Sequence, residues 1–233
     1  MKFKVQGNPI KSLLNYRINY NIMKVIRFVT ILFIILPFLI SIFAYSYLPD
    51  RMVSHWNAKG NPDDTLTKFW GAFLLPIVSL SLFFLFVFLI RIDPLKKNIQ
   101  KFMGYYEGFI LILILFLFYL YSLMTLWNLG YKFNMNIMML VSLSALMGYI
   151  GFFLPKLKRN WFIGIRTPWT LSNDKVWHKT HLLGGYLFEV CAIIIFIGIF
   201  FETYAFYFII LPILLTAIIL MVYSYIVFKK IKK

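Results

Sequence analysis

The sequence predicts an all-α fold: a polytopic integral membrane protein with six transmembrane helices and both termini in the cytoplasm. Three observations carry that expectation. The chain is 61% hydrophobic and only 14% charged, with a mean hydropathy of +0.80, whereas soluble domains are about 45–50% apolar and about 25% charged. Its apolar residues fall in six runs, each long enough as a helix to cross a hydrocarbon core of ~30 Å. Finally, Lys and Arg are shared very unequally between alternate connections.

The spans justify themselves in chain order. Residues 1–24 form an N-terminal cytoplasmic lead-in, whose LLNYRINYNIM has too few periodic apolar positions to specify a helix and reads as interfacial or loosely ordered. Residues 25–90 hold the first two spans, Val25–Tyr47 and Phe69–Ile90, around an outer loop at 48–68. Residues 91–233 hold four more spans, Tyr105–Trp127, Asn136–Pro155, Leu182–Phe201 and Tyr204–Phe228, with a long cytoplasmic loop at 155–181. In lipid these runs should be helices, because an isolated strand would leave its backbone groups unpaired. Pro37, Pro76 and Pro212 sit inside spans and are expected to bend them. The pair Gly104 and Gly108, and Ser142, Ser144, Gly148 and Gly151, favour close helix packing.

Charge orients the spans. Twenty Lys and Arg lie in the N-terminal lead-in and the adjoining edge of the first span (Arg27), the second connection, the long loop and the tail; only Arg51, Lys59, Lys68 and Lys132, four in all, lie on the alternate side. The positive-inside rule puts the larger set in the cytoplasm. The same placement accounts for the +16 formal charge, so direct nucleic-acid binding is not expected, and the bilayer is the expected partner. The first run is too long, and followed by too many spans, to read as a cleaved signal peptide.

The outer loop opens at Pro49, which ends the first helix, and turns at Asn57, Gly60, Pro62 and Asp63. Between them RMVSHW suggests a short extended piece with Trp56 as an interface anchor. His55 with Asp63 or Asp64 has acceptable ligand chemistry, but one His without Cys does not define a metal site. A structural loop and a ligand-recognition surface both stand as readings.

The long loop contains NWFIGIRTPWTLSNDKVWHKTH, residues 160–181. Ser172 is a plausible N-cap for a helix beginning at NDKVW, interrupted or thinned at Gly184-Gly185. His178 and His181, three apart, are expected to share a helix face; HKTH lacks the Glu of HExxH, so no metal site follows. Two acidic residues remain. Glu107, at the cytoplasmic end of the third span, suits either an ordinary boundary position or a specific contact, with Arg166 as a proposed partner. Glu189 lies well inside the fifth span, where a carboxylate needs a partner, a proton or a wet cavity. The single cysteine, Cys191, reads as small apolar filler.

NWFIGIRTPWTLSNDKVWHKTHLLGG, residues 160–185, resembles the signature segment of the immunity-protein family that protects bacteria against the secreted SDP cannibalism toxin (the SdpI family). LPDRMVSHWNAKGNPDD, residues 48–64, resembles the conserved domain of unknown function near the start of the same proteins. The residues matching the signature are Gly164, Arg166, Thr167, Pro168, Trp169, Thr170, Leu171, Ser172, Trp177, His181 and Gly185. The resemblance implies a membrane protein without established enzymatic activity, which recognises a secreted peptide toxin and holds a small cytoplasmic repressor at the membrane. Read from the residues, no nucleophile–base pair or metal-ligand set appears, so no catalysis and no cofactor are expected. The alternative is a small-solute or ion-coupled transporter using Glu189, although no inverted repeat is visible. Sequence leaves the oligomeric state open.

Overall fold

The computed structural model describes the backbone of residues 9–232 and the side chains of residues 21–232. Eight α-helices and one hairpin follow in order: α1 Pro9–Ala44, β1 Arg51–Trp56, β2 Pro62–Thr67, α2 Lys68–Ile92, α3 Lys96–Gln100, α4 Met103–Asn128, α5 Met135–Phe153, α6 Pro168–Ser172, α7 Asp174–Ile197 and α8 Ala205–Lys232. Six helical stretches, Asn21–Tyr47, Lys68–Ile92, Met103–Asn128, Met135–Lys156, Asp174–Phe200 and Glu202–Lys232, are long and apolar enough to cross a membrane. The chain is an all-α multi-pass protein of the cell membrane. Large apolar side chains such as Phe43, Phe84, Ile193 and Met221 are exposed on its outer face, as expected where the solvent is lipid.

The N-terminal lead-in is one place where sequence and structure part. Residues 9–24 continue the first span as helix, beginning at a proline whose fixed φ suits a first turn; residues 1–8 lie outside the described residues. The outer loop is the other. Its short extended piece is half of an antiparallel hairpin, with Met52 opposite Leu66 and Val53 opposite Thr65. The alternation that builds it is visible in burial: Arg51 is exposed and Met52 is fully buried.

Six crossings place the first turns of the α1 span, the α2–α4 connection, the α5–α7 loop and the end of α8 at one end of the bundle; the hairpin lies at the other. Most of the core gathers at the loop end, where Ile34, Ile99, Tyr106, Phe153, Leu157 and Trp177 belong to one buried cluster. The helix pair α5–α7 approaches through glycine. A Cβ on Gly185 would stand 2.5 Å from Pro155 Cγ and 3.0 Å from the Gly151 carbonyl. The expected break at Gly184-Gly185 is absent: α7 runs through both, because the intimate contact that glycine permits offsets its poor helix propensity. Gly108 is likewise packed, under Tyr149, whereas Gly104 has open space beside it. Ser142 and Ser144 hydrogen-bond back to Met139 and Val141 within α5.

Candidate functional site: the α5–α7 loop and the hairpin

The α5–α7 loop is a folded element held by its own polar side chains. Asn160 is fully buried; its Oδ1 accepts from the Phe162 and Ile163 amides at 3.0 and 2.6 Å, and its Nδ2 donates to the Lys158 and Ile163 carbonyls at 3.0 Å each. A single amide thus satisfies four backbone groups that no regular element pairs. Asp93, also buried, reaches across from the end of α2 and accepts from the Trp161 amide at 2.9 Å and the Leu95 amide at 2.6 Å.

The signature residues continue this framework. Thr167 caps α6 in a capping box with Thr170: the Thr167 hydroxyl accepts from the Thr170 amide at 3.1 Å, and the Thr170 hydroxyl accepts from the Thr167 amide at 2.9 Å. Thr170 also donates to the Ile165 carbonyl at 2.9 Å, and Thr167 donates to Ser224 of α8 at 3.1 Å. Pro168 occupies the first helical position, and Trp169 packs on Tyr225 with ring centroids 5.0 Å apart. Leu171 presents its carbonyl to Arg159 Nη1 at 2.8 Å.

His181 closes the loop onto α7. It is buried, stacks on Trp177 at 4.0 Å between ring centroids, and has both ring nitrogens engaged. Nε2 accepts from the Ile165 amide at 2.9 Å, which leaves Nδ1–H to donate to the Trp177 carbonyl at 2.8 Å. This bonding assigns the neutral imidazole with its proton on Nδ1. Gly164, at φ +109°, brings the backbone so close to His181 and Leu157 that a Cβ would overlap both. Trp177 Nε1 donates to the Leu157 carbonyl at 3.1 Å.

Three expectations are corrected here. Asn173, not Ser172, caps α7: its Oδ1 accepts from the Lys175 and Val176 amides at 2.8 and 3.2 Å, while Ser172 ends α6 and donates to the Trp169 carbonyl at 3.0 Å. His178 and His181 do not share an environment, since His178 is exposed and His181 faces the loop. Arg166 does not meet Glu107. Its Nη1 donates to the Trp161 carbonyl at 3.0 Å, whereas Glu107, buried in α4, pairs with Arg27 of α1 through Nε at 2.8 Å and Nη2 at 2.5 Å.

Glu189 occupies neither of two cavities described below. The residue is exposed on α7, while its side-chain Cγ and its backbone amide both pack closely on Gly151 of α5. Cys191 is buried between α7 and α8, within 3.0 Å of the Thr216 hydroxyl. Among the described residues no group of three or more His, Cys, Asp or Glu gathers to hold a metal ion.

At the other end the hairpin is hooked to the bundle by an amide that sequence reasoning missed. Asn128, the last residue of α4, accepts from the Val53 amide at 2.8 Å and donates to the Val53 carbonyl at 2.9 Å, pairing with β1 as a neighbouring strand would. Below it Met52 fills space that Gly71 leaves open, since a Cβ there would stand 2.7 Å from Met52 Cβ. Pro49 follows the turn after α1, and Asp50 pairs with Lys68 at 3.2 Å. Asn57 Oδ1 accepts from the Lys59 and Asn61 amides at 2.9 and 3.2 Å, Gly60 adopts φ +79°, and Pro62 opens β2. His55 Nδ1 lies 2.5 Å from Asp63 Oδ1. Trp56 is half-buried edge-to-face on Trp127, 5.6 Å between centroids.

Beneath the hairpin lies a largely apolar cavity of about 710 Å³, floored by Leu120, Met124 and Met139 and rimmed by His55, Asn57 and Asn136. Thioether side chains adapt to irregular apolar ligands. We expect Asn128→Ala to unhook this roof at a cost of about 1–3 kcal/mol, the penalty for orphaned buried backbone groups. Hydrogen exchange at Val53 should accelerate while the α4 core stays protected; an unchanged Val53 amide would contradict the role given to Asn128.

Comparison with known proteins now places the chain. Residues 156–224 match the SdpI/YfhL protein family, and residues 32–80 match a domain of unknown function, DUF1648. The chain thus carries an SdpI/YfhL family region from Lys156 to Ser224. It is similar to the immunity protein SdpI of Bacillus subtilis (strain 168), with 28% identity over 204 residues, covering 87% of this chain and 96% of that protein. No solved structure matches it. The SdpI/YfhL region spans the loop from Lys156 through α7 and most of α8, so it includes the capping box, the His181 lock and the α8 partner Ser224. DUF1648 spans the second half of α1, the hairpin and the start of α2.

Proposed function

We propose that this protein is a member of the SdpI/YfhL family and a non-enzymatic immunity protein that protects the cell membrane against a secreted peptide toxin. The observation that supports it most is likeness to a curated immunity protein over nearly the whole of that relative. In this reading both termini and the α5–α7 loop face the cytoplasm, following the Lys and Arg asymmetry. The hairpin and the apolar cavity beneath it then face outward, where a membrane-active peptide would first be met. The two ends have different tasks.

At the cytoplasmic end, the framework residues Gly164, Thr167, Thr170, Trp177, His181 and Gly185 shape the loop. Its exposed residues, Trp161, Arg166, Pro168 and His178, offer the surface on which a small regulator would dock.

The test is challenge with SDP toxin of sensitive cells expressing wild type, Arg166→Ala or His55→Ala at matched membrane levels. Wild type should protect. His55→Ala should weaken protection, and Arg166→Ala should spare it while reducing membrane retention of a co-expressed repressor. Absence of protection by the wild type would sink the immunity reading.

A further inference from the structure

At the loop end a second cavity, polar and about 350 Å³, opens between the α3–α4 junction, the start of the α5–α7 loop and the first turn of α7. Its charged walls are Lys101, Lys158, Arg159 and Asp174, with His178 beside them. Only one of these is acidic, and it is already engaged: Arg159 Nε lies 2.7 Å from Asp174 Oδ1. Lys101 Nζ donates to the neutral Asn98 side chain at 3.2 Å. Lys158 meets no acidic group among the described residues.

Three segments far apart in sequence therefore bring two uncompensated ammonium groups to one concavity, with the exposed imidazole of His178 at its edge. Gathering like charges is unfavourable unless an anion offsets it. Lysine binds phosphate as a point charge with freely rotating donors. Arg159 acts differently. Its other contact, Nη1 to the Leu171 carbonyl at 2.8 Å, commits it to holding the cavity wall.

We propose that this cavity binds a phosphate group, presented by an anionic lipid headgroup or as free phosphate, through Lys101 and Lys158. The adjoining helices enter the membrane here, so a headgroup would reach the cavity from the side and a free phosphate from the water. The proposal stands apart from the immunity reading, since it needs neither toxin nor regulator.

The full-length purified protein provides the test. Binding would be measured for phosphatidylglycerol against phosphatidylcholine in mixed micelles, and separately for inorganic phosphate, with wild type, Lys101→Gln/Lys158→Gln and Lys96→Gln/Lys97→Gln. The last variant removes the same charge from α3, outside the cavity. Each cavity lysine should contribute about fivefold, so their joint loss should weaken binding by roughly 25-fold. The α3 variant should lose less than about twofold, because separated exposed charges are screened. Preference for phosphatidylglycerol alone identifies a headgroup, and competition by inorganic phosphate identifies the free ion; both support the site. Equal losses in the two double variants, or no preference for either phosphate probe, overturn it. Should the cavity variant unfold, Lys101→Gln and Lys158→Gln are each read alone, both positions being exposed.

Discussion

Gly164→Ala is expected to destabilise the protein by about 3 kcal/mol or more, with the cost concentrated in the α5–α7 loop. Two effects combine. A left-handed φ of +109° costs an ordinary L-residue about 1–2 kcal/mol, and the new methyl would overlap the His181 ring and Leu157. His181→Ala alone should cost about 2–4 kcal/mol, because it orphans the Ile165 amide and removes the ring stacked on Trp177. In the double variant the overlap with His181 is gone, while the backbone strain and the closeness to Leu157 remain. The two costs should therefore fall short of their sum by about 1–2 kcal/mol, as is usual for residues in contact. Unfolding of the purified protein in detergent, followed through tryptophan fluorescence, measures all three. Additive costs would show that His181 and Gly164 do not act as one lock.

The bundle was legible because the hydrophobic signal is one-dimensional: each span announces itself without reference to the others. The loop's turn residues were legible for a similar reason, since Pro168 and Gly164 act on their own backbone. What sequence did not reveal is long-range and polar. Asn128 meets Val53 from 75 residues away, and Asp93 meets Trp161 across 68. Nothing in either local sequence distinguishes these side chains from solvated ones. Asn160 was overlooked for the opposite reason. Its bonds are local, but an asparagine in a loop is common enough that only its complete burial reveals it as the loop's core. His181 was singled out, yet its spacing to His178 suggested a shared face that the helix does not make; the ring turns inward to a backbone amide sixteen residues earlier in sequence.

Glu107 tests the same lesson energetically, because its partner was sought in Arg166 and found in Arg27, 80 residues earlier. The pair is asymmetric. The Glu107 side chain is 8% exposed and that of Arg27 is 58% exposed, so the two ends lose different things when the pair is broken. Arg27→Ala leaves a carboxylate buried in α4 without its cation and is expected to cost about 3–5 kcal/mol, as for other broken buried pairs. Glu107→Gln leaves an arginine that can extend toward the interface, and should cost only about 1–2 kcal/mol, the scale of one charge-assisted hydrogen bond. The exchange Arg27→Glu with Glu107→Arg should recover part of the loss, whereas Arg166→Glu should not rescue Glu107→Arg. Unfolding of the matched variants in one detergent decides it. Equal costs at both ends would mean that burial of the carboxylate does not govern the pair. Rescue through Arg166 would instead place Glu107 against the α5–α7 loop.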